Sequence, residues 1–273
     1  MTRIIAIAMQ KGGTGKTTTA INLASGLARG IGGDRLRKVL LVDADPQANA
    51  TAVYLSPEFT LGPAQDAATT YEVMVHQIPP ARAIQTVELL ENERGGYAES
   101  TLDLLPAHIR LARAEIELLG VIRREDRLAA ALREVGAAYE YIIIDCPPSL
   151  GILTLNALMA ASEVIIPVEP GFFPLIGIGL LQQTIADVAE INGLRLTGAI
   201  PTIQGRTVEA RETLEMLEGM FGELVLPAIP ERVAIRNAHA ARMDIFAFAT
   251  DAASSDAAIA YANLVTEVAH AKT

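Results

Sequence analysis

A short apolar run, Ile4-Ile5-Ala6-Ile7-Ala8, leads straight into Gln10-Lys11-Gly12-Gly13-Thr14-Gly15-Lys16-Thr17-Thr18, and an amphipathic segment from Ala20 to Ala28 follows. Strand, glycine loop and helix in that order form the setting of a phosphate-binding loop. Glycines let successive backbone N–H groups turn onto phosphate oxygens, and the new helix adds its positive end. Lys16 is placed to reach the β- and γ-phosphates of a nucleotide, and the Thr17 hydroxyl to ligate Mg²⁺. The loop departs from the common pattern G-x-x-x-x-G-K-[ST]. Gln10 stands where glycine is usual, and a second lysine, Lys11, follows it.

The chain has 273 residues, 51% of them apolar and 20% charged, which describes a globular chain able to build a substantial core. A net charge of −10 gives no general attraction for nucleic acid or anionic lipid, so any such contact must come from a local patch. No apolar run approaches the roughly 18 residues of a membrane span, and the first strand begins too early for a signal peptide to precede it. Cys146 is the single cysteine, so no intrachain disulfide is possible, as suits a reducing cytoplasm. His76, His108, His239 and His270 are scattered without the spacing of metal ligands.

Apolar runs alternate with helix-like stretches along the chain. The expected strands are Ile4–Ala8, Val39–Val42, Leu102–Leu105, Tyr141–Ile144, Val164–Val168, Leu196–Ile200 and Leu224–Ile229. The expected helices include Thr17–Ala28, Ala112–Leu119, Arg127–Val135, Leu175–Ile191, Thr207–Phe221 and Ala257–Ala269. Strands that are apolar throughout, separated by helices, predict an α/β fold. Its sheet is doubly wound and mostly parallel, with helices on both faces. No linker divides the chain, so residues 1–273 read as one domain, with 56–100 as a surface elaboration carrying short helices.

Ligands of such sheets sit at the carboxyl ends of the strands. Asp43-Ala44-Asp45-Pro46-Gln47 follows the second run, and two carboxylates beside a triphosphate must meet Mg²⁺, lysine or water. Tyr141-Ile142-Ile143-Ile144-Asp145 has the form of a Walker B element, in which Asp145 holds Mg²⁺ through water. Cys146 reads as a small residue at a crowded strand end. Phe172 and Phe173 suit either an interface or the core. Pro201 and Pro230 end two later strands.

The spacing K-G-G-x-G-K-T-T resembles the deviant Walker A loop of the ParA/MinD family of ATPases. Asp43 to Asn49 is similar to that family's first switch, and Pro147-Pro148-Ser149-Leu150-Gly151 to its second. Further likeness lies in Thr70-Tyr71-Glu72-Val73, Leu102-Asp103-Leu104-Leu105-Pro106 and Ile229-Pro230. The whole looks like a small ParA-type partition ATPase. The resemblance implies binding of ATP and Mg²⁺ by Lys11, Gly12, Gly13, Thr14, Gly15, Lys16, Thr17 and Thr18, with Asp43 supporting Mg²⁺ and Lys16. It implies that Asp45 orients or deprotonates the attacking water. It also implies that loops at Pro201 and Pro230 close over the adenine, and that two copies dimerise around two ATP molecules with Lys11 reaching the partner's phosphates.

The same resemblance implies non-specific DNA binding by the ATP dimer and a cytoplasmic, nucleoid-associated protein. A ParB-type or cargo-adaptor partner is expected to stimulate hydrolysis, and the cargo is a chromosome or plasmid. Family members often carry basic residues after the Ile-Pro element. Here the candidates are Arg232, Arg236 and Arg242, with Arg206 and Arg211, although Glu209, Glu212, Glu215 and Glu231 lie among them and can pair with them. Positioning of a protein cargo, such as a microcompartment or receptor cluster, is the alternative. A MinD-like membrane role fits poorly, since Val265 to Thr273 holds one lysine and little apolar face. A nitrogenase-reductase-like role needs two cysteines per subunit for a bridging cluster. A P-loop kinase or synthetase needs a second substrate pocket that the sequence does not reveal.

Overall fold

A computed structural model describes residues 2–56, 59–60, 67–91, 100–169, 173–203, 208–230 and 233–271. Its strands are β1 (Arg3–Ile7), β2 (Val39–Asp43), β3 (Gln85–Leu89), β4 (Ser100–Leu105), β5 (Tyr141–Asp145), β6 (Glu163–Val168), β7 (Arg195–Ile203) and β8 (Ile229–Pro230). They form one sheet in the order β3-β4-β2-β5-β1-β6-β7-β8. Each pairing is parallel except β3 with β4. The helices are α1 (Lys16–Ala28), α2 (Asn49–Tyr54), α3 (Thr70–Val75), α4 (Ala114–Glu117), α5 (Arg127–Val135), α6 (Ile152–Ala160), α7 (Phe173–Asn192), α8 (Val208–Phe221), α9 (Val233–Ala240), α10 (Ile245–Phe248) and α11 (Ala252–His270).

Alternation along each strand divides the core into two layers. Ala6, Val42, Ile144 and Ile166 pack with α3 and α5 to α8 on one face. Ile5, Ile7, Leu41, Ile143 and Ile165 pack with α1, α2 and α9 to α11 on the other. The doubly wound sheet expected from the apolar strands is therefore present.

Two expectations need correction. The stretch 56–100 contains a strand, β3, which no apolar run announced. Its residues alternate in burial because it is an edge strand with one covered face. Asp103 of β4 anchors it, accepting hydrogen bonds from the Thr86 hydroxyl at 2.6 Å and the Tyr139 hydroxyl at 2.9 Å while pairing with Lys38 at 2.8 Å. The strand expected over 224–229 shrinks to Ile229–Pro230, and Leu224 lies in a 3₁₀ turn. Leu226 N donates to Ala199 O, but Pro227 has no N–H to continue the ladder.

Candidate active site

The loop between β1 and α1 is shaped by Gly13 and Gly15, at φ 81° and 86°, conformations that L side chains rarely adopt. Gly15 is the N-cap of α1 and no side chain caps the helix, so its first N–H groups open onto the loop. Lys16, largely buried, folds back to donate from Nζ to Lys11 O at 2.9 Å. Lys11 turns the other way: its Nζ pairs with Glu169 Oε2, just past β6, at 2.9 Å.

Asp43 and Asp145 are register partners at the ends of β2 and β5. Val42 and Ile144 before them face the α3–α8 layer, so both carboxylates point to the α1 side, toward Lys16 and Thr17. Both are fully buried, yet their surroundings differ. Asp43 accepts from Thr51 N at 2.8 Å, Thr51 Oγ1 at 2.7 Å and Asp45 N at 3.1 Å. Burial pushes its pKa up to about 6 against those hydrogen bonds. Neither oxygen of Asp145 has a partner of good hydrogen-bond geometry, although the Thr17 hydroxyl stands beside it. Burial first, and then the Asp43 charge, holds its pKa well above the usual carboxylate range. Burial lowers the pKa of Lys16, with Asp145 opposing it.

This arrangement lacks positive charge. Two carboxylates share one buried ammonium, and an unpaired buried carboxylate is costly. A hard cation with an oxygen shell would relieve Asp145, and the residues present fit one. Among the described residues no group of three or more His, Cys, Asp or Glu forms a ready-made metal cage. Mg²⁺ takes one or two carboxylates plus substrate phosphates, and Asp145 beside Thr17 offers such a carboxylate. Asp145 is the better ligand of the pair, because Asp43 already spends its lone pairs on the turn that follows it.

Asp45 lies at the start of that turn. Its Oδ1 accepts from Gln47 N at 2.9 Å, and the turn reaches Ala48 at φ 53° before α2 begins. Thr70 of α3 pins the strand end, its hydroxyl donating to Asp43 O at 2.8 Å. Cys146 is buried, and desolvation pushes its thiol up, so it is held as the neutral thiol.

Beside the loop opens a cleft of about 260 Å³ lined by Gly13, Thr14, Gly15, Thr18, Glu169, Thr202, Ile229, Pro230, Ile235, Arg236 and Tyr261. Pro230 is on its wall. Pro201 is not among the lining residues; it pairs with Val168 within the sheet, and its neighbour Thr202 faces the cleft instead. Glu169, Ile235 and Tyr261 were not singled out from sequence. The strand-end rule that located Asp43 and Asp145 also locates Glu169, one residue past β6. No local signal brings Tyr261 from the last helix to this cleft.

The arginine set separates. Arg206 and Arg232 lie outside the described residues, as do Glu231 and Phe172 and the side chains of Glu209 and Phe173. Arg211 is exposed on α8. Arg242 is exposed just past α9, at φ 59°, and lines a different cleft with Tyr54 and Asp244. Arg236 lines the cleft beside the phosphate loop.

A family model for the AAA domain matches residues 2–196. The chromosome partitioning protein ParA of Myxococcus xanthus is 41% identical over 235 residues, covering 84% of this chain and 75% of that protein. The sporulation initiation inhibitor protein Soj of Bacillus subtilis is 40% identical, covering 87% and 88%. The chain belongs to the ParA family of P-loop ATPases. A crystal structure of the cobyrinic acid a,c-diamide synthase of Mycobacterium smegmatis, with bound ADP and magnesium, superposes at a TM-score of 0.74 with 34% identity, covering 98% of this chain and 94% of that one. No described helix is long and apolar enough to cross a membrane.

Proposed function

We propose that residues 1–273 form one ParA-type domain that hydrolyses ATP with Mg²⁺, dimerises on ATP, holds DNA non-specifically and lets go when a ParB-type or cargo-adaptor partner stimulates hydrolysis. The cargo it positions is a chromosome or plasmid. The observation that carries the nucleotide part is the unpartnered carboxylate of Asp145 beside Lys16 and Thr17 at the mouth of a glycine loop. Lys16 binds the β- and γ-phosphates, with Gly12 to Thr18 cradling them through backbone N–H groups. Thr17 and Asp145 hold the metal, with Asp43 behind them. Bound Mg²⁺ supplies neutralisation of charge on the phosphate oxygens. Asp45 takes or directs the proton of the attacking water. Lys11 acts across the dimer, a role in which a trans cation supplies about 10³–10⁵ in rate elsewhere. Arg206, Arg211, Arg232 and Arg242 are the residues proposed for phosphate contacts on DNA.

The name of the mycobacterial structure raises a synthase as a second possibility. Cys146, the single cysteine, is buried and desolvation pushes its thiol up, so no reactive thiolate favours that reading over the ATPase.

Gly12 supplies the test of the dimer. A Cβ added there meets nothing within 4 Å in the single chain. Gly12→Val therefore folds and binds ATP, yet stays monomeric by light scattering and is not retained on DNA, while the wild type in ATP dimerises and is retained. A normal ATP-dependent dimer in the variant removes the sandwich from the reading.

Lys11 is engaged by Glu169 within its own chain, and that pair must part before Lys11 can serve a partner. Glu169→Gln is expected to tighten ATP-dependent dimerisation by no more than about 30-fold, since two such partly exposed pairs part per dimer and each is worth under about 1 kcal/mol. Sedimentation equilibrium in ATP checks this; a weaker dimer contradicts it.

A further inference from the structure

From its place on the cleft wall, we infer that Arg236 is a nucleotide-base residue: its guanidinium lies over the exposed face of the purine while the phosphates occupy the loop. The inference rests on the ATP reading of the same cleft. The loop end of the cleft, Gly13 to Gly15, offers backbone N–H groups for phosphate. The other end is walled by Ile229, Pro230, Ile235 and Tyr261, an apolar slot suited to a flat heterocycle. Tyr261, 1% exposed with its hydroxyl beside Thr19 and Asn22, backs the slot from within the core and brings no free polar edge to it.

Arg236 stands at the rim of that slot, one residue beyond Ile235. Ile235 and Ala238, three residues apart, bury one side of α9 and leave Arg236 on the outer side. The segment that follows α9 is tied to α1 at the start of α10. Asp244, two residues past Arg242, pairs with Arg29 at 3.0 Å, both side chains almost fully buried, and Asn22 Oδ1 accepts from Ile245 N at 2.9 Å. Asn22 also donates to Thr18 O at 2.9 Å, directly behind the phosphate loop. The chain that leaves α9 is thus anchored to α1, the helix that opens at the phosphate loop.

A planar guanidinium has donors only and stacks readily on aromatic faces. Over a base face it adds attraction without reading the base edge, so ATP and GTP gain alike. Edge-on contact would instead favour guanine, whose O6 and N7 accept a bidentate arginine. In this place Arg236 belongs to the nucleotide and not to the DNA patch.

Calorimetry with Mg²⁺ and either ATP or inorganic tripolyphosphate, on wild type, Arg236→Ala and Arg236→Lys, tests the inference. Arg236→Ala is expected to weaken ATP about 3- to 30-fold, the range of a cation on an aromatic face, and to leave tripolyphosphate unchanged. Arg236→Lys keeps the charge but not the plane and recovers little. Unchanged ATP affinity overturns the inference. Equal loss for ATP and tripolyphosphate, with rescue by lysine, also overturns it, since it makes Arg236 a phosphate-side charge. DNA retention at saturating ATP should keep the wild-type salt slope in Arg236→Ala; a slope shallower by about one unit puts the residue on DNA instead. Wild-type protein that binds neither ATP nor tripolyphosphate refutes the ATPase reading itself, a result distinct from either.

Discussion

Asp45→Ala is expected to bind ATP and Mg²⁺ as the wild type does and to hydrolyse ATP about 10²–10⁴-fold more slowly, the usual share of a positioned base. The variant should accumulate as the ATP dimer. Asp45 is buried at the end of β2, two residues past Asp43, but its Oδ1 also accepts from Gln47 N. Alanine therefore removes both a base and a turn-forming acceptor. Asp45→Asn separates the two, because the amide oxygen still accepts from Gln47 while the basic carboxylate is gone. Single-turnover phosphate release on both variants decides the matter. Slow turnover in both identifies Asp45 with the chemical step. Wild-type turnover in Asp45→Asn reduces it to a turn residue.

Lys16→Ala is expected to weaken ATP by roughly 100-fold, since hydrogen bonds to charged groups contribute about 1.5–3 kcal/mol each. The structure adds a second cost. Lys16 Nζ donates to Lys11 O and is the cation nearest Asp145, so its loss loosens the loop and leaves Asp145 with less to offset its burial. That second effect favours protonation of Asp145 and weakens Mg²⁺ together with ATP. Calorimetry of Mg²⁺-ATP at pH 7, with a melting curve to show the fold intact, reads both. Unchanged affinity would falsify the assignment of the loop.

Much of the site was legible in the chain because it is written in contiguous residues. The phosphate loop needs one strand, a few glycines and one helix start, all within Arg3–Ala28. The carboxylates were found by the rule that strand ends face ligands, and Asp43 and Asp145 are the last residues of β2 and β5. What escaped has specific causes. β3 alternates polar and apolar because one of its faces is open, so no apolar run marks it. The run 224–229 looked like a strand, but Pro227 interrupts its pairing with β7. Thr202, which lines the cleft next to Pro201, was not marked by any local signal.

The sequence by itself determined the elements and their chemistry: an apolar strand, a glycine loop with two lysines, and acidic strand ends, each set by neighbours a few positions away. The tertiary structure decided which of these groups meet. Strand order and register bring Asp43 beside Asp145, 102 positions apart, and leave Asp145 without a hydrogen-bond partner of good geometry. Packing across the sheet sets Glu169 against Lys11 and Asp244 against Arg29. It also assembles the cleft wall from β8, α9 and α11. Local propensity carries no information about such pairs. They follow from burying both faces of a parallel sheet at once, a condition that only the whole chain can satisfy.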